Sequence, residues 1–439
     1  PERAAAGICY GDATGHRHMD LLDVQLFAHS YVFLGDLGYP QSWASIDPWE
    51  AHWATHNSGW GMVDGLHAGR VMGRGRLLHY LKAPGIQLLD IEAERWAWDA
   101  EEKNWYRPGV QFRRLLALVE TDAEGVALID LMRIRGGQEH WRLCRGCGPQ
   151  FLTDIAQTAR SGTLAGEQIE RGELGNLPHP DCAALAYMDD VQELAAQKNW
   201  QGTWPLDVKN GAQLDVHQLA ISDGVQLRSA RATAIMGTPE ESTYNFRTLA
   251  WHSRPQDGES TCVDLLFEPR IGESHLAEVR TVAAANTAAG IEIKTKAGKH
   301  LRLYWAPDAT TESAMRFADG TELQGSLAFV ADDQITTCAS AAIRVDGQRH
   351  SFAHAVQRAT IIAVDQQTCT MEVEGLKEVQ IEDRLYTEGR GRSYCIDGVE
   401  KLGEMRHRLR LDVTSLLGRG RVRSVQGRCI ELDFHILAR

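Results

Sequence analysis

The amino-acid sequence predicts an all-β protein: a large antiparallel β-sandwich, or supersandwich, followed by a smaller C-terminal β-sandwich. From Gly59 to Gly148, apolar runs of strand length alternate with turns rich in glycine, proline and acidic residues. Such a meander of short strands is typical of antiparallel sandwiches. Helical periodicity is scarce, and only residues 189–198 have a pattern that predicts a short helix.

The strand pattern begins close to the first residue. Residues 8–35 are predicted to form two strands, and the second, residues 21–34, alternates in part between apolar and polar side chains. A loop rich in tryptophan follows at residues 39–55, where it is punctuated by prolines. Its aromatic side chains are expected either to stack on sugar rings or to form plain core. Residues 150–182 are polar and irregular, which indicates a long loop or an insertion.

Strand patterns resume at residue 213 and continue towards the C terminus. An alanine-rich run at residues 282–290 is the best candidate for a domain boundary. The chain has 439 residues, more than a single hydrophobic core usually supports. We therefore predict two domains, residues 1–289 and residues 290–439.

The charge balance restricts the partners of this protein. The chain has 46 Lys and Arg residues against 59 Asp and Glu residues, a net charge of −13. This argues against nucleic acid as a main partner, because phosphate binding needs a basic surface. No apolar run is long enough for a membrane-spanning helix. An acidic partner would need a local basic cleft that overrides the global charge. The candidate arginines for such a cleft are Arg17, Arg70, Arg74, Arg76, Arg113 and Arg114.

The nine cysteines are scattered and odd in number, unlike a disulfide framework. Cys144 and Cys147 form a Cys-x-x-Cys pair, but no second pair follows at the spacing of a zinc ribbon. We expect buried free thiols rather than a redox site.

Residues near the start of the chain have the chemistry of a metal site. His16 and His18 are separated by one residue, so on a strand both side chains would point to the same face. Asp36 follows the next apolar run, and His56 follows the tryptophan-rich loop. Two neutral imidazoles and a carboxylate form a set of ligands that zinc accepts. Without a metal, the same residues would form a hydrogen-bonded cluster.

The order of these motifs is more specific than any one of them. His-x-His-x-Asp at residues 16–20, Asp-Leu-Gly-Tyr-Pro at 36–40, His-Asn at 56–57 and Val-Asp-Gly at 63–65 together resemble the signature of the heparinase II/III-like polysaccharide lyases. The Asp-Leu-Gly-Tyr-Pro motif resembles the oligoalginate- and ulvan-lyase-like branches most. The resemblance covers roughly the first third of the chain and includes Phe112-Arg113-Arg114-Leu115, Ile129-Asp130 and Arg135-Gly136-Gly137.

The resemblance implies cleavage of a uronic-acid polysaccharide by β-elimination. One group must neutralise the C5 carboxylate, a base must remove the neighbouring proton, and an acid must protonate the departing O4 oxygen. By analogy, His16 would be catalytic, as the neutraliser or the base. Tyr39 is a second catalytic candidate, with a simple turn residue as the alternative. The implied metal ligands are His18, Asp36 and His56. The candidates for substrate binding are Arg17, His52, Trp53 and Asn57.

The resemblance also implies a structural zinc ion, which would fix the strand and loop that position His16. Enzymes of this family normally begin with a helical (α/α) toroid that contributes catalytic residues, but no helical region of that size is predicted here. The sequence is then a C-terminal fragment, a chain that works with a partner or as a homo-oligomer, or a protein without lyase activity. Such lyases act in the periplasm or outside the cell, although this sequence shows no export signal.

Two other functions remain open at this point. A non-catalytic carbohydrate-binding or scaffold module could retain the zinc cluster. Alternatively, a zinc-dependent hydrolase could use His18, Asp36 and His56 with water at the fourth position of the metal. Hydrolysis is the weaker alternative, because no His-Glu-x-x-His helix and no paired glycosidase carboxylates are apparent.

Overall fold

The computed structural model describes residues 4–10, 18–38, 46–64, 71–99, 102–195, 199–234, 245–256, 258–284, 287–352, 356–365, 367–381, 383–387, 393–412 and 433–437. The protein is nearly all β, which confirms the predicted fold class. The helical elements in these ranges are short turns, Ile46–Glu50, Trp53–Thr55, Pro180–Cys182 and Ala184–Tyr187. None of the helices in these ranges is long and apolar enough to cross a membrane.

Two groups of strands follow one another along the chain. The first group is β1 (Ala4–Ile8), β2 (Val24–Ala28), β3 (Tyr31–Leu34), β4 (Gly59–Met62), β5 (Val71–Ala83), β6 (Ile86–Asp99), β7 (Asn104–Tyr106), β8 (Gln111–Glu120), β9 (Val126–Arg135), β10 (Glu139–Arg145), β11 (Leu152–Thr153), β12 (Gln157–Ala159), β13 (Asp189–Leu194), β14 (Gln201–Asp207), β15 (Ala212–Ile221), β16 (Gln226–Thr233), β17 (Asn245–Ser253) and β18 (Ser260–Ile271). The second group is β19 (Leu276–Val282), β20 (Ala289–Thr295), β21 (His300–Trp305), β22 (Ala314–Arg316), β23 (Glu322–Ala331), β24 (Gln334–Val345), β25 (Gln348–Ser351), β26 (Val356–Asp365), β27 (Thr370–Glu374), β28 (Arg384–Thr387), β29 (Ser393–Lys401), β30 (Arg406–Leu411) and β31 (Asp433–Leu437).

These strands form four sheets and a barrel, and adjacent strands are antiparallel. The central sheet has the order β11-β14-β15-β18-β9-β8-β6-β5, with β7 added to β6. The front sheet has the order β12-β13-β16-β17-β10-β4, and the small N-terminal sheet is β1-β2-β3. The back sheet has the order β19-β20-β21-β23-β24-β25, with β22 added to β23. The last six strands close into a barrel, β26-β27-β30-β29-β28-β31.

The central sheet is covered on both faces. Because successive side chains of a strand point to opposite sides, neighbouring residues belong to different cores. On β8, Leu116 belongs to the core that includes Trp251 of the front sheet. Its neighbour Leu115 belongs to the core that includes Leu303 of the back sheet. Burying each such leucine contributes about 1.5–3 kcal/mol, so the three layers are held together by apolar packing on both faces of the central sheet.

Two local predictions are wrong. Residues 21–34 form the hairpin β2–β3 rather than one strand, because His29 and Ser30 have φ values of 50° and 68° and turn the chain back. Residues 189–194 form strand β13 rather than the start of a helix. This strand pairs with β16, and Val191 and Leu194 are buried in two hydrophobic cores that include residues of the front sheet. Tertiary packing therefore decides the conformation of residues 189–194.

The predicted division between residues 289 and 290 stays a prediction. In the structure, β19 and β20 pair with each other on either side of residues 283–288. The back sheet then packs on the central sheet, and the barrel begins at β26 with its own core around Met371, Ile396 and Leu409.

Candidate metal centre

The structure brings together the three residues predicted to bind a metal. The Nδ1 atom of His56 lies 2.9 Å from Oδ2 of Asp36, and the Nδ1 atom of His18 lies 3.6 Å from the same oxygen. One ligand atom from each residue lies within 4.8 Å of the other two. The rings of His18 and His56 are 5.3 Å apart between centroids.

These distances fit a zinc ion. Ligand atoms placed tetrahedrally at about 2.0–2.1 Å from zinc are separated by roughly 3.3–3.4 Å, and the two measured separations lie on either side of that value. The His56 side chain is fully buried, and its Nδ1 atom makes no hydrogen bond of good geometry among the described residues, although Asp36 lies 2.9 Å away. A buried polar atom without a partner is costly, and coordination of the imidazole would offset that cost. The Asp36 side chain is 24% exposed, so the site is open to solvent on that side.

Asp36 is held in place by the backbone that follows it. It comes two residues after β3, and its Oδ1 atom accepts a hydrogen bond of 2.5 Å from the backbone N–H of Gly38. Gly38 has a φ of 77°, a conformation that glycine adopts without strain. One carboxylate oxygen is therefore fixed by the turn, and the other is directed at the two histidines.

His56 is positioned by the short helical turn Trp53–Thr55. The ring of His52 caps that turn by accepting a hydrogen bond from the backbone N–H of Ala54, and the N–H of His56 bonds to the carbonyl of Trp53. Thr55 donates its hydroxyl to the carbonyl of His52 at 2.8 Å. The turn thus presents His56 in a single orientation.

His18 lies in an irregular segment rather than on a strand, so the same-face argument for a His-x-His strand does not explain its position. The following residue, Met19, donates its N–H to the carbonyl of Ala51 at 2.7 Å. Leu22 donates its N–H to the carbonyl of Cys9 at 2.6 Å. The His18 segment is thus tied to the loop that carries His56.

Asn57 joins the surrounding strands. Its side chain donates to the carbonyls of Val24 and Gly35, and its Oδ1 atom accepts from the backbone N–H of Arg145. Its own N–H bonds to Oδ1 of Asp23 at 2.7 Å. Because Asn57 is only 2% exposed, its role is to fix the backbone beside His56.

A buried ionic network lies beneath the site. Arg114 binds Asp130 through two N–H···O bonds of 2.8 and 2.6 Å, and Arg142 binds the same carboxylate at 2.5 Å. Arg114 also donates to the carbonyls of Asn57 and Leu22. Arg114 was predicted as a candidate for a basic cleft, but it is 1% exposed and supports the loop that carries His56 from below.

Burial and neighbouring charges shift the pKa values of several groups at the site. Burial alone would raise the pKa of Asp36, but the neighbouring imidazoles of His18 and His56 outweigh burial and hold this pKa well below its usual range. The neighbouring Asp36 carboxylate raises the pKa of His18. Burial lowers the pKa of His52 to about 3, so this ring is neutral near neutral pH. Burial raises the pKa of Asp23.

The remaining predicted site residues divide into two groups. His52 and Trp53, like Asn57, are almost fully buried and contribute to the core rather than to a surface that a substrate could reach. The ring of Trp53 stacks on Trp60 with a centroid distance of 5.5 Å, and the tryptophan-rich loop is plain core at Trp49 and Trp53. The predicted residues His16, Arg17 and Tyr39 lie outside the described residues.

The cysteines of the Cys-x-x-Cys pair are buried free thiols. Burial raises the pKa values of Cys144 and Cys147 to about 12. Thiols of this kind are poor nucleophiles, because the reactive form is the thiolate.

Sequence reasoning missed a polar cluster on the outer face of the front sheet. Glu139 accepts hydrogen bonds from His252 at 3.0 Å and from Arg254 at 2.8 Å, beside a cavity of about 470 Å³. The His252 ring stacks on Trp141 with a centroid distance of 4.0 Å. More than 100 residues separate Glu139 from its partners in the chain, and only the pairing of β10 with β17 brings them together, so no local sequence signal marked the cluster.

No protein-family model matches the sequence, and no curated protein matches it. Among solved structures, the chain is similar to a heparan sulfate lyase HepC mutant from Pedobacter heparinus, with a TM-score of 0.39 and 10% identity over 66% of this chain and 37% of that chain. It is similar to heparinase III, with a TM-score of 0.39 and 12% identity over 66% of this chain and 36% of that chain. It is also similar to a heparinase III gene product, with a TM-score of 0.41 and 10% identity over 68% of this chain and 38% of that chain. The matched region thus spans little more than a third of those proteins, and a likeness at this level assigns no activity to this chain.

Proposed function

We propose that this chain is a polysaccharide lyase, or the β-sandwich portion of one, that cleaves an acidic, uronic-acid-containing glycan by β-elimination and contains a structural zinc ion. The observation that carries the proposal is the meeting of His18, Asp36 and His56 at one point. They come from an irregular segment, from the end of β3 and from a helical turn. The sequence resemblance implies the same three residues as ligands.

Zinc bound here would join three segments whose ligand residues lie outside the β-strands. It would supply charge neutralisation for Asp36 and a partner for the buried ring of His56. The hydrogen bonds of Gly38, His52 and Asn57 then hold the ligands in place. A structural role agrees with the complete burial of His56.

The chemical step is assigned to residues next to these ligands in sequence. His16 precedes His18 by two positions, and Tyr39 follows Asp36 by three. In the reaction, a base removes the C5 proton, the C4–O4 bond breaks, a C4=C5 double bond forms, and the departing O4 oxygen receives a proton. We assign neutralisation of the C5 carboxylate or proton removal to His16. Tyr39 is assigned to proton transfer.

The substrate class follows from this chemistry, because the acidic C5 proton requires a neighbouring carboxylate. Alginate and ulvan are the proposed substrates, with heparan and hyaluronan as further uronate glycans to compare. A protein with such a substrate would act in the periplasm or outside the cell. The helical toroid of such lyases would come from a further part of the protein or from a partner.

The test is the ultraviolet absorbance of the unsaturated uronate product, measured with this chain and alginate, ulvan, heparan or hyaluronan. A rise on one substrate that is abolished by His16→Ala and retained by His350→Ala, a histidine on β25 of the back sheet, supports the proposal. Glycan binding without any product, unchanged by His16→Ala, would identify a binding module instead. Saturated product ends, lost at once on chelation, would identify a zinc hydrolase.

A further inference from the structure

A polar groove lies on the opposite side of the central sheet from the candidate metal centre. The back sheet covers only part of this face, and the uncovered part forms a groove of about 570 Å³. Two adjacent residues of β8 point to the two different sites. Arg114 donates a hydrogen bond to Asn57, beside His56, whereas Arg113 lines the groove. Because neighbouring strand residues point to opposite faces, the groove is distinct from the metal centre.

The strand register places the lining side chains in two rows that cross the sheet. In one row, Arg76 pairs with Glu92, Glu92 with Arg113, and Arg113 with Arg133. In the other row, the successive partners are Arg74, Glu94, Gln111, Arg135 and Ser260. Directly paired residues share a face, and five strands at about 4.8 Å spacing give the second row a length of roughly 19 Å.

The groove is positive although the chain has a net charge of −13. Six arginines line it, against the carboxylates of Glu92, Glu94 and Asp308. Two further carboxylates lie beneath it: Asp90 binds Arg113, and Asp264 binds Arg133. Within the described part of the chain Arg135, an exposed residue at the end of β9, makes no ion pair.

Two arginines of the groove lie side by side on neighbouring strands. Arg113 and Arg133 are direct partners across β8 and β9, and like charges directly opposite each other are destabilising. The cost is reduced by Asp90, which binds Arg113, and by Asp264, which binds Arg133. Arg133 also donates to the backbone carbonyls of Thr287 and Met132. Both arginines still line the groove, so the sheet presents a fixed pair of cations there.

We propose that this groove binds a segment of an acidic oligosaccharide, as a second glycan site remote from the candidate metal centre. The ligand class rests on the proposed function, whereas the location and charge of the groove do not. Arginine suits the carboxylates or sulfates of such a chain. Glu92, Glu94 and Gln111 can accept hydrogen bonds from sugar hydroxyls. The alternation of cations and acceptors matches a glycan better than a nucleic-acid backbone, which offers repeated anions and few donors.

The test is isothermal titration of the whole chain with alginate and heparan sulfate hexasaccharides, with neutral maltohexaose as the comparison. The test variant is the double substitution Arg107→Gln and Arg135→Gln, since both side chains are exposed and line the groove. The matched control is Arg231→Gln with Arg316→Gln, which removes two exposed arginines elsewhere. Arg113 and Arg133 are left intact, because their loss would leave buried carboxylates without partners.

We expect an acidic hexasaccharide to bind the parent chain and the control equally, with affinity falling as salt is added. The groove variant should bind about tenfold more weakly. Equal affinity of the groove variant and the control, or no binding of either acidic probe, would overturn the proposal. Tighter binding of a single-stranded oligothymidylate, lost in the same variant, would assign the groove to nucleic acid and also overturn it.

The ultraviolet absorbance is followed in the same samples to show whether the probe is cleaved. Absence of cleavage with binding that depends on Arg107 and Arg135 would show that this chain alone is not a competent lyase and would retain the groove. Cleavage with binding that does not depend on them would retain the lyase and reject the groove.

Discussion

The Nδ1 atom of His56 lies 2.9 Å from Oδ2 of Asp36, at a position where the His56 side chain is completely buried. Among the described residues this Nδ1 atom makes no hydrogen bond of good geometry, and a buried polar atom without a partner is costly unless a further group engages it. We therefore expect about one zinc ion per chain in protein purified without chelator, as for a single protein site. Elemental analysis checks this number, and a preparation without metal would contradict the assignment.

Removal of the metal is expected to destabilise the protein. A ligand that binds only the folded state stabilises it by about 4 kcal/mol at a thousandfold excess over its Kd. A strong chelator should therefore lower the thermal midpoint, and added zinc should restore it. His56→Ala should abolish the response to chelator, whereas His350→Ala on the back sheet should leave it intact. An identical midpoint with and without chelator would show that the three residues hold no structural metal.

Asn57→Ala is expected to reduce the free energy of unfolding by about 2–4 kcal/mol. The substitution leaves the buried carbonyl of Val24 and the backbone N–H of Arg145 without the partner that the Asn57 side chain provides, and each unsatisfied buried group costs about 1–3 kcal/mol. Urea unfolding measures the change. Asn210→Ala, at an exposed turn, serves as the control and should change the value by less than about 0.5 kcal/mol.

The fold class and the grouping of the three candidate metal ligands were accessible from the sequence because both depend on local or ordered signals. Strand-length apolar runs at residues 112–119 and 126–134 became β8 and β9. The order of the His-x-His, Asp-Leu-Gly-Tyr and His-Asn motifs selected His18, Asp36 and His56 from all the polar residues of the chain, and the structure places these three together.

The roles of neighbouring residues depended on contacts that are distant in sequence. Asn57 and Trp53 looked suitable for substrate binding because they flank a predicted ligand. Their partners Arg145 and Asp181 lie 88 and 128 positions away, so their burial could not be inferred. Arg113 and Arg114 lie in different environments because they occupy opposite faces of β8. The rows of side chains in the groove can be recognised only when the strand register is known.

Asp130→Asn is expected to reduce the free energy of unfolding by about 3–5 kcal/mol. Asp130 is the shared partner of two buried guanidinium groups, those of Arg114 and Arg142, and removal of one partner leaves buried charges uncompensated. Asp397→Asn is the control, because Asp397 pairs with Arg410 on the exposed surface of the barrel. Both variants are compared by urea unfolding. A loss below about 1 kcal/mol for Asp130→Asn would show that solvent or a rearranged side chain compensates the arginines.

Glu139 is expected to make stability depend on pH in the acid range. The hydrogen bond from His252 lowers its pKa to about 2, against a usual value of 4.5. The folded pKa lies below the unfolded one, so the unfolded chain takes up the proton first as the pH falls. The stabilisation by the Glu139 carboxylate is therefore complete above about pH 4.5 and is lost as the pH falls towards about 2. Because the side chain is 24% exposed, its size is about 1 kcal/mol after solvent screening.

The measurement is the difference in unfolding free energy between the parent chain and Glu139→Gln as a function of pH. The difference should be constant from neutral pH down to about 4.5 and should shrink below that value, since the protonated carboxyl and the amide are then alike in charge. Glu124→Gln, at an exposed turn, should show no comparable change. A difference that is the same at pH values near 2 and near 7 would mean that the amide disturbs packing around Trp141 and His252 rather than removing a stabilising charge.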